Sequence, residues 1–272
     1  MIALYILLGV AFLGLAVYLI LIAPTKNEKI EEYKSTLFAH RGLHNKERAE
    51  NSMSAFSAAV EGGYGIELDV RLSRDGELVV FHDDTLERVC GVLGRVDEYT
   101  ADELSKMSLS GTKDGVPRFS DVLTLVSGRV PLLVEIKEDA GKYDVSDKTA
   151  EILNSYSGPY IIESFNPLSL GNIAKKLPDV PRGILSQNYY KYEKYRKPLY
   201  FILRCLLLNR ICKPSFIAYD HSDYNCISLR IARRLFGAVT FAWTVRTPDE
   251  EKAARERGFD SVIFEGYEAS HK

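Results

Sequence analysis

The chain opens on residues 2–23, 22 positions without a charge, in which Leu, Ile, Val and Ala lie all round a helical cylinder with no polar face. At about 1.5 Å per residue, a helix of this length covers the roughly 30 Å hydrocarbon core of a bilayer. Apolar surface on every side favours lipid over one-sided packing in a soluble core. A cleaved signal peptide would want a basic residue ahead of the run, a shorter apolar core and a small-x-small site, and none is clear. Residues 1–23 are therefore expected to form one transmembrane anchor. Residues 24–36, charged and without an apolar period, are expected to be a short linker or juxtamembrane helix leading into the folded body.

Beyond the linker, apolar runs alternate with helical stretches. Residues 37–39, 65–70, 132–136, 160–164, 182–185, 216–219, 240–245 and 261–264 read as eight strands. Strands alternating with helices predict an α/β fold, a TIM (β/α)8 barrel over residues 37–272, with its chemistry at the C-terminal ends of the strands. A ninth run, residues 78–81, follows Asp75-Gly76, a hairpin signal that returns His82 towards Asp69. Residues 71–119 then become an insertion capping the barrel after its second strand, with a short helix over 101–107 behind a Thr100 cap.

With 46% hydrophobic and 26% charged residues in 272, the chain has material for a real core, and disorder is excluded. A net charge of -2 and a pI near 6.3 provide no global basic field, so nucleic acid is not an expected partner. Cys90, Cys205, Cys212 and Cys226 show neither zinc spacing nor the density of a disulfide scaffold, and read as reduced, packed thiols. Lys26, Lys29, Lys34 and Arg41 follow the apolar segment and no basic residue precedes it. The positive-inside rule therefore puts the body of a single-pass protein in the cytoplasm.

Glu67 and Asp69 stand two apart on an expected strand, so both carboxylates point to one face; Glu135 and Lys137 share the same geometry. Three converging carboxylates without Cys suit one divalent cation, Mg²⁺ or Ca²⁺, rather than zinc, with Mg²⁺ favoured in the cytoplasm. A plain salt-bridge network with Arg41, Arg71 and Lys137 accounts for any single pair better than for all of them together. His40 and His82, each at a strand end, offer the base and the acid that P–O cleavage demands, while Lys137 offsets phosphoryl charge.

The order His40-Arg41-Gly42, Glu50-Asn51, Glu67 to Asp69, His82-Asp83, Glu135 to Lys137, Ser164-Phe165 and Trp243 to Val245 closely resembles the glycerophosphodiester phosphodiesterase family. The resemblance implies metal-dependent hydrolysis of glycerophosphodiesters to an alcohol and glycerol 3-phosphate. It also implies that His40 and His82 are the acid/base pair and that Glu67, Asp69 and Glu135 hold the cation. Arg41 and Lys137 would bind phosphate, with Glu50, Asn51 and Trp243 completing the substrate site. The family mechanism this implies is attack by the glycerol 2-hydroxyl, giving a cyclic phosphate that water opens. Arg246, where Asn commonly follows, and Phe264-Glu265 in place of Thr-Asp depart from the pattern at the mouth, and are expected to bear on the headgroup rather than on the reaction.

Residues 189–214 carry seven basic side chains against Glu193 alone, interleaved with Leu and aromatics, on the connection between the fifth and sixth strands. Two readings stay open: an interfacial segment touching the membrane, or leucines packed on the barrel under solvated charges. The first brings in a lysolipid substrate and a lysophospholipase D type of activity. An inactive membrane-tethered binding domain is the alternative from another class, and the complete His pair and acidic triad argue against it.

Overall fold

The computed structural model describes residues 1–270, and in it eight parallel strands close into a barrel. They are β1 (Leu37–Ala39), β2 (Gly65–Leu72), β4 (Leu132–Ile136), β5 (Tyr160–Ser164), β6 (Arg182–Ser186), β7 (Phe216–Asp220), β8 (Val239–Val245) and β9 (Ser261–Phe264), with β3 (Leu78–Val80) outside the ring. β1 pairs in parallel with both β2 and β9, which closes the cylinder. β2 runs past the rim to pair antiparallel with β3, Val70 against Val80, and this is why it outlasts the expected strand. The helix behind Thr100 has the expected cap, completed as a capping box by Glu103, but spans only Ala101–Leu104.

Side chains alternating along the strands fill the cylinder with Phe38, Leu133, Ile161, Leu185, Phe216, Phe241 and Ile263. Phe216 stacks on Phe241 at 4.5 Å and Phe241 on Phe38 at 5.7 Å between centroids, giving the site a rigid aromatic floor. Glycine makes room for it. A Cβ on Gly65 would lie 2.7 Å from the Phe38 ring, and one on Gly183 would run into the Phe216 ring. The insertion builds a small core of its own from Val79, Phe81, Leu86, Val89, Val96 and Leu104, which fixes the hairpin carrying His82.

Residues 24–36 form helix in their middle. A 3-10 helix, Glu28–Tyr33, buries Ile30 and Tyr33 against the barrel interior from its N-terminal end. Only two apolar residues three apart carry this face. A 3-10 turn eclipses i and i+3, whereas a search for the 3.6 period passes over them. The Tyr33 hydroxyl donates to Tyr160 O at 3.3 Å, and Ser35 N to Asp260 O at 2.7 Å.

The N-terminal helix, Ile2–Ile22, has a mean hydropathy of 2.6 over its most apolar window and is long and apolar enough to cross a membrane. Its last turns belong to the domain. Ile22 is fully buried, its carbonyl accepts from Asn209 Nδ2 at 2.7 Å, and the Tyr18 hydroxyl meets Ser228 Oγ at 2.8 Å.

Because the Phe216 ring is fully buried and stacked on Phe241, it cannot give way, and Gly183→Ala should destabilise the fold by about 1–3 kcal/mol. Urea denaturation of the variant checks this, and an unchanged midpoint would contradict the packing described.

Candidate active site

The C-terminal ends of the barrel strands, with the β3 hairpin for His82, bring most of the expected residues to one place, while Glu50 and Asn51 stand outside the cavity lining. His40, Arg41, Glu67, His82, Glu135, Lys137 and Trp243 line a single cavity of about 190 Å³. Asp69 lies fully buried beneath it. Glu67, Asp69 and Glu135 each offer an oxygen within 4.8 Å of the others, and the parallel register sets Asp69 directly beside Glu135. Lys137 Nζ lies 2.7 Å from Glu135 Oε1 and 3.1 Å from Asp69 Oδ1.

Backbone conformation explains the two short motifs around β1. Arg41 (φ 56°) and Asn51 (φ 54°) occupy the left-handed region, which costs a non-glycine residue on the order of 1–3 kcal/mol. In this conformation Arg41 N donates to Glu67 Oε2 at 2.8 Å, and Asn51 N donates to Arg41 O at 2.9 Å. Asn51 Nδ2 then reaches Asp69 Oδ2 at 2.8 Å. Glu50 accepts from Arg41 Nη1 at 2.8 Å and from both terminal nitrogens of Arg88. Glu50 and Asn51 therefore brace Arg41 and Asp69 from behind, with their own polar atoms largely engaged.

Each histidine has a carboxylate behind it. His82 Nδ1 is 2.6 Å from Asp83 Oδ1, and Asp83 is held in turn by Arg88 Nε at 2.5 Å. His40 Nδ1 is 3.2 Å from Glu265 Oε2, with His40 Nε2 turned to Glu67 at 3.9 Å. Arg88 and His82 outweigh burial and bring Asp83 down to about 2, and the His40 hydrogen bond chiefly brings Glu265 to about 2. Ionised carboxylates only accept, so Nδ1 is the donor in both rings and Nε2 is left to take or give a proton. Burial, helped by Lys137 and Arg41, lowers His82 to about 4; burial likewise lowers His40.

Glu265 was expected merely to line the mouth. It holds His40 and also pairs with Arg246 Nη2 at 3.1 Å, so the two departures from the family pattern are one ion pair. A second residue, Glu163, was not anticipated. It lies beside Glu135 in the register, is 1% exposed, faces the same cavity, and its Oε2 has no hydrogen-bond partner among the described residues. An inward acid near the C-terminal end of an expected strand was the available signal.

The charges do not balance within the protein. Four buried carboxyl groups, Glu67, Asp69, Glu135 and Glu163, face Arg41 and Lys137. Burial and the neighbouring acids push Glu67 and Glu163 well above the ordinary range and Glu135 up to about 7. For Asp69 the opposite holds: Lys137, His82 and Arg41 overcome burial and keep it well below its usual value. An all-oxygen donor set with excess negative charge is what a hard divalent cation requires, and these residues fit one.

A model of the glycerophosphoryl diester phosphodiesterase family matches residues 40–268. A glycerophosphodiester phosphodiesterase from Caldanaerobacter subterraneus subsp. tengcongensis is 36% identical over 166 residues, 57% of this chain and 68% of that protein. Among solved structures, a glycerophosphodiester phosphodiesterase from Thermotoga maritima superposes with a TM-score of 0.66 at 26% identity, covering 85% of this chain and 94% of its own. A phosphodiesterase from Oleispira antarctica, in complex with the product sn-glycerol 3-phosphate, shares the fold with a TM-score of 0.72 at 21% identity, covering 86% and 94%.

Two titrations pull stability in opposite directions in the cation-free protein. His82, at about 4 in the fold against an ordinary 6.5, removes stability as pH falls from 6.5 to 4, because the unfolded chain binds the proton first. Glu135 keeps its proton to about 7 in the fold against 4.5 unfolded, so stability is lost as pH rises from 4.5 to 7. Urea midpoints across this range should favour Glu135→Gln over the wild type increasingly as pH rises. A pH-independent difference between the two would refute the assignment.

Proposed function

This chain belongs to the glycerophosphoryl diester phosphodiesterase family and is a phosphodiester hydrolase; on that premise we propose that His40 and His82 carry the proton transfers of glycerophosphodiester cleavage. The observation that carries this reading is the matched orientation of the two rings. Each commits Nδ1 to an ionised carboxylate and leaves Nε2 as the working nitrogen at a cavity lined by Arg41 and Lys137.

The diester phosphate enters beside Lys137 and Arg41, which neutralise its non-bridging oxygens. One imidazole takes the proton of the glycerol 2-hydroxyl as that oxygen attacks phosphorus, and the other gives a proton to the departing alkoxide. Water then opens the cyclic phosphate with the two roles exchanged, releasing glycerol 3-phosphate. Both rings stand below their ordinary pKa, and the negative charge of the arriving diester raises them towards the working range. Glu67, Asp69 and Glu135 would hold one Mg²⁺ or Ca²⁺, which when bound supplies Lewis-acid stabilisation of phosphoryl charge. Trp243, whose indole N–H has no partner among the described residues, meets Phe165 edge-on at 5.4 Å and supplies an aromatic wall for the glycerol.

The N-terminal helix serves as an anchor rather than a removable leader. Cleavage after it would strip Ile22 and its hydrogen bond to Asn209 from the domain. Lys26, Lys29 and Lys34 on its C-terminal side favour a cytoplasmic catalytic domain.

The full chain in detergent, stripped with EDTA and reloaded with Mg²⁺ or Ca²⁺, should release glycerol 3-phosphate from glycerophosphodiesters. His40→Ala and His82→Ala should each lower turnover by about 10²–10⁴-fold. Cation-independent release, or a full rate in either variant, would defeat the proposal. Because the Glu265 hydrogen bond raises the His40 pKa, Glu265→Gln should move the limb of the kcat/KM profile that His40 sets, acidic if it is the base and basic if it is the acid, to lower pH, a shift that simple loss of folded protein would not produce.

A further inference from the structure

We propose that the catalytic mouth faces the bilayer, so that the enzyme takes a lipid-borne diester of the lysophospholipid class directly from the membrane surface. The choice of substrate rests on the hydrolase reading above; the orientation does not.

The anchor lies along the barrel wall against the direction of the strands. Tyr18 meets Ser228, in the first turn of helix Ile227–Phe236, which follows the C-terminal end of β7. Ile22 meets Asn209, and Thr25 N then donates to Pro214 O at 2.7 Å, just before β7 begins. These contacts run in sequence from the catalytic rim to the opposite rim. Residues 2–15, exposed throughout, therefore extend past the catalytic rim. Fourteen helical residues supply about 21 Å against a hydrocarbon core of roughly 30 Å. The shortfall, about 9 Å, falls within the roughly 5–10 Å that an interfacial segment sinks into the headgroup boundary. A docked helix spans with the least mismatch when the catalytic rim enters that layer.

The rim has the surface this demands. Leu199 (54% exposed) and Phe201 (50%) project from helix Pro198–Arg204, and Ile227 (69%) lies next to the anchor contact. Lys194, Arg196 and Lys197 are exposed beside them and form no ion pair among the described residues, whereas Lys191 and Arg204 are neutralised by Asp220 and Asp223. Apolar side chains ringed by unpaired cations complement anionic headgroups. From this segment an aromatic wall descends to the site. Tyr200 packs on Tyr189 at 5.2 Å, Tyr189 on Phe165 at 6.5 Å and Phe165 on Trp243 at 5.4 Å. An acyl chain lying along it leaves the phosphate at Arg41 and Lys137.

Full-length Phe201→Trp and Leu235→Trp proteins, the second labelling the C-terminal end of helix Ile227–Phe236 at the opposite rim, would be reconstituted in phosphatidylcholine with about a quarter phosphatidylglycerol carrying brominated chains. Wild-type Trp243 emission is the blank. Quenching at position 201 well above that at 235 is expected; equal or reversed quenching overturns the orientation. The Leu199→Ser, Phe201→Ser double variant should lose about tenfold on vesicle-borne lysophospholipid while a water-soluble glycerophosphodiester is turned over within about twofold of wild type. Equal loss on both substrates overturns the lipid substrate. Quenching as expected from a wild type that cleaves neither substrate would overturn the hydrolase reading and uphold the orientation.

Discussion

Four carboxyl groups buried at one barrel mouth repel one another, and most other features of the site answer that repulsion. Two unit charges about 4 Å apart interact at roughly 4 kcal/mol in a protein-like medium, so Glu67, Asp69, Glu135 and Glu163 cannot all be ionised without compensation. Lys137 bridges two of them, and Arg41 offers its guanidinium to Asp69 and its backbone N–H to Glu67. Protons or a cation must supply the rest. An anionic phosphodiester would add to that demand, so a cation held by the carboxylates would offset the charge of the cluster and of the substrate together.

Holding such a cluster requires a frame that does not relax. The stacked phenylalanines beneath the site leave no room for the strands to close, and the Ile30–Tyr33 plug seals the far end against water. The left-handed backbone at Arg41 and Asn51 is tolerated because hydrogen bonds to Glu67 and Asp69 determine it from both sides. The insertion contributes in the same way. Its small apolar core fixes the hairpin that brings His82 back over Asp69, and Arg71 locks the turn by donating to the His82 carbonyl at 2.7 Å.

The Arg246–Glu265 pair shows how a departure from a family pattern is absorbed. Glu265 keeps the His40 proton on Nδ1, and its charge is shared with Arg246 and with His44 at 3.6 Å. Seen singly, each residue is an unremarkable charge at a strand end. Together they supply the acceptor that the imidazole requires.

Much was legible in the chain itself. Period-two alternation aligned Glu67 with Asp69 and Glu135 with Lys137, and the spacing of apolar runs placed all eight barrel strands, because these patterns follow from local backbone geometry. The hairpin was legible too, since Asp75-Gly76 carries its own turn chemistry. Contacts made across the sequence were not. The partnership of His40 with Glu265 spans 225 positions, the plug rests on a two-residue face, and the direction of the N-terminal helix along the barrel wall depends on Tyr18 meeting Ser228. Side-chain period and turn chemistry are properties of neighbouring residues and so can be read in order. Which charge backs which imidazole, and which rim the N-terminal helix passes, are set only when the closed sheet brings distant strand ends together.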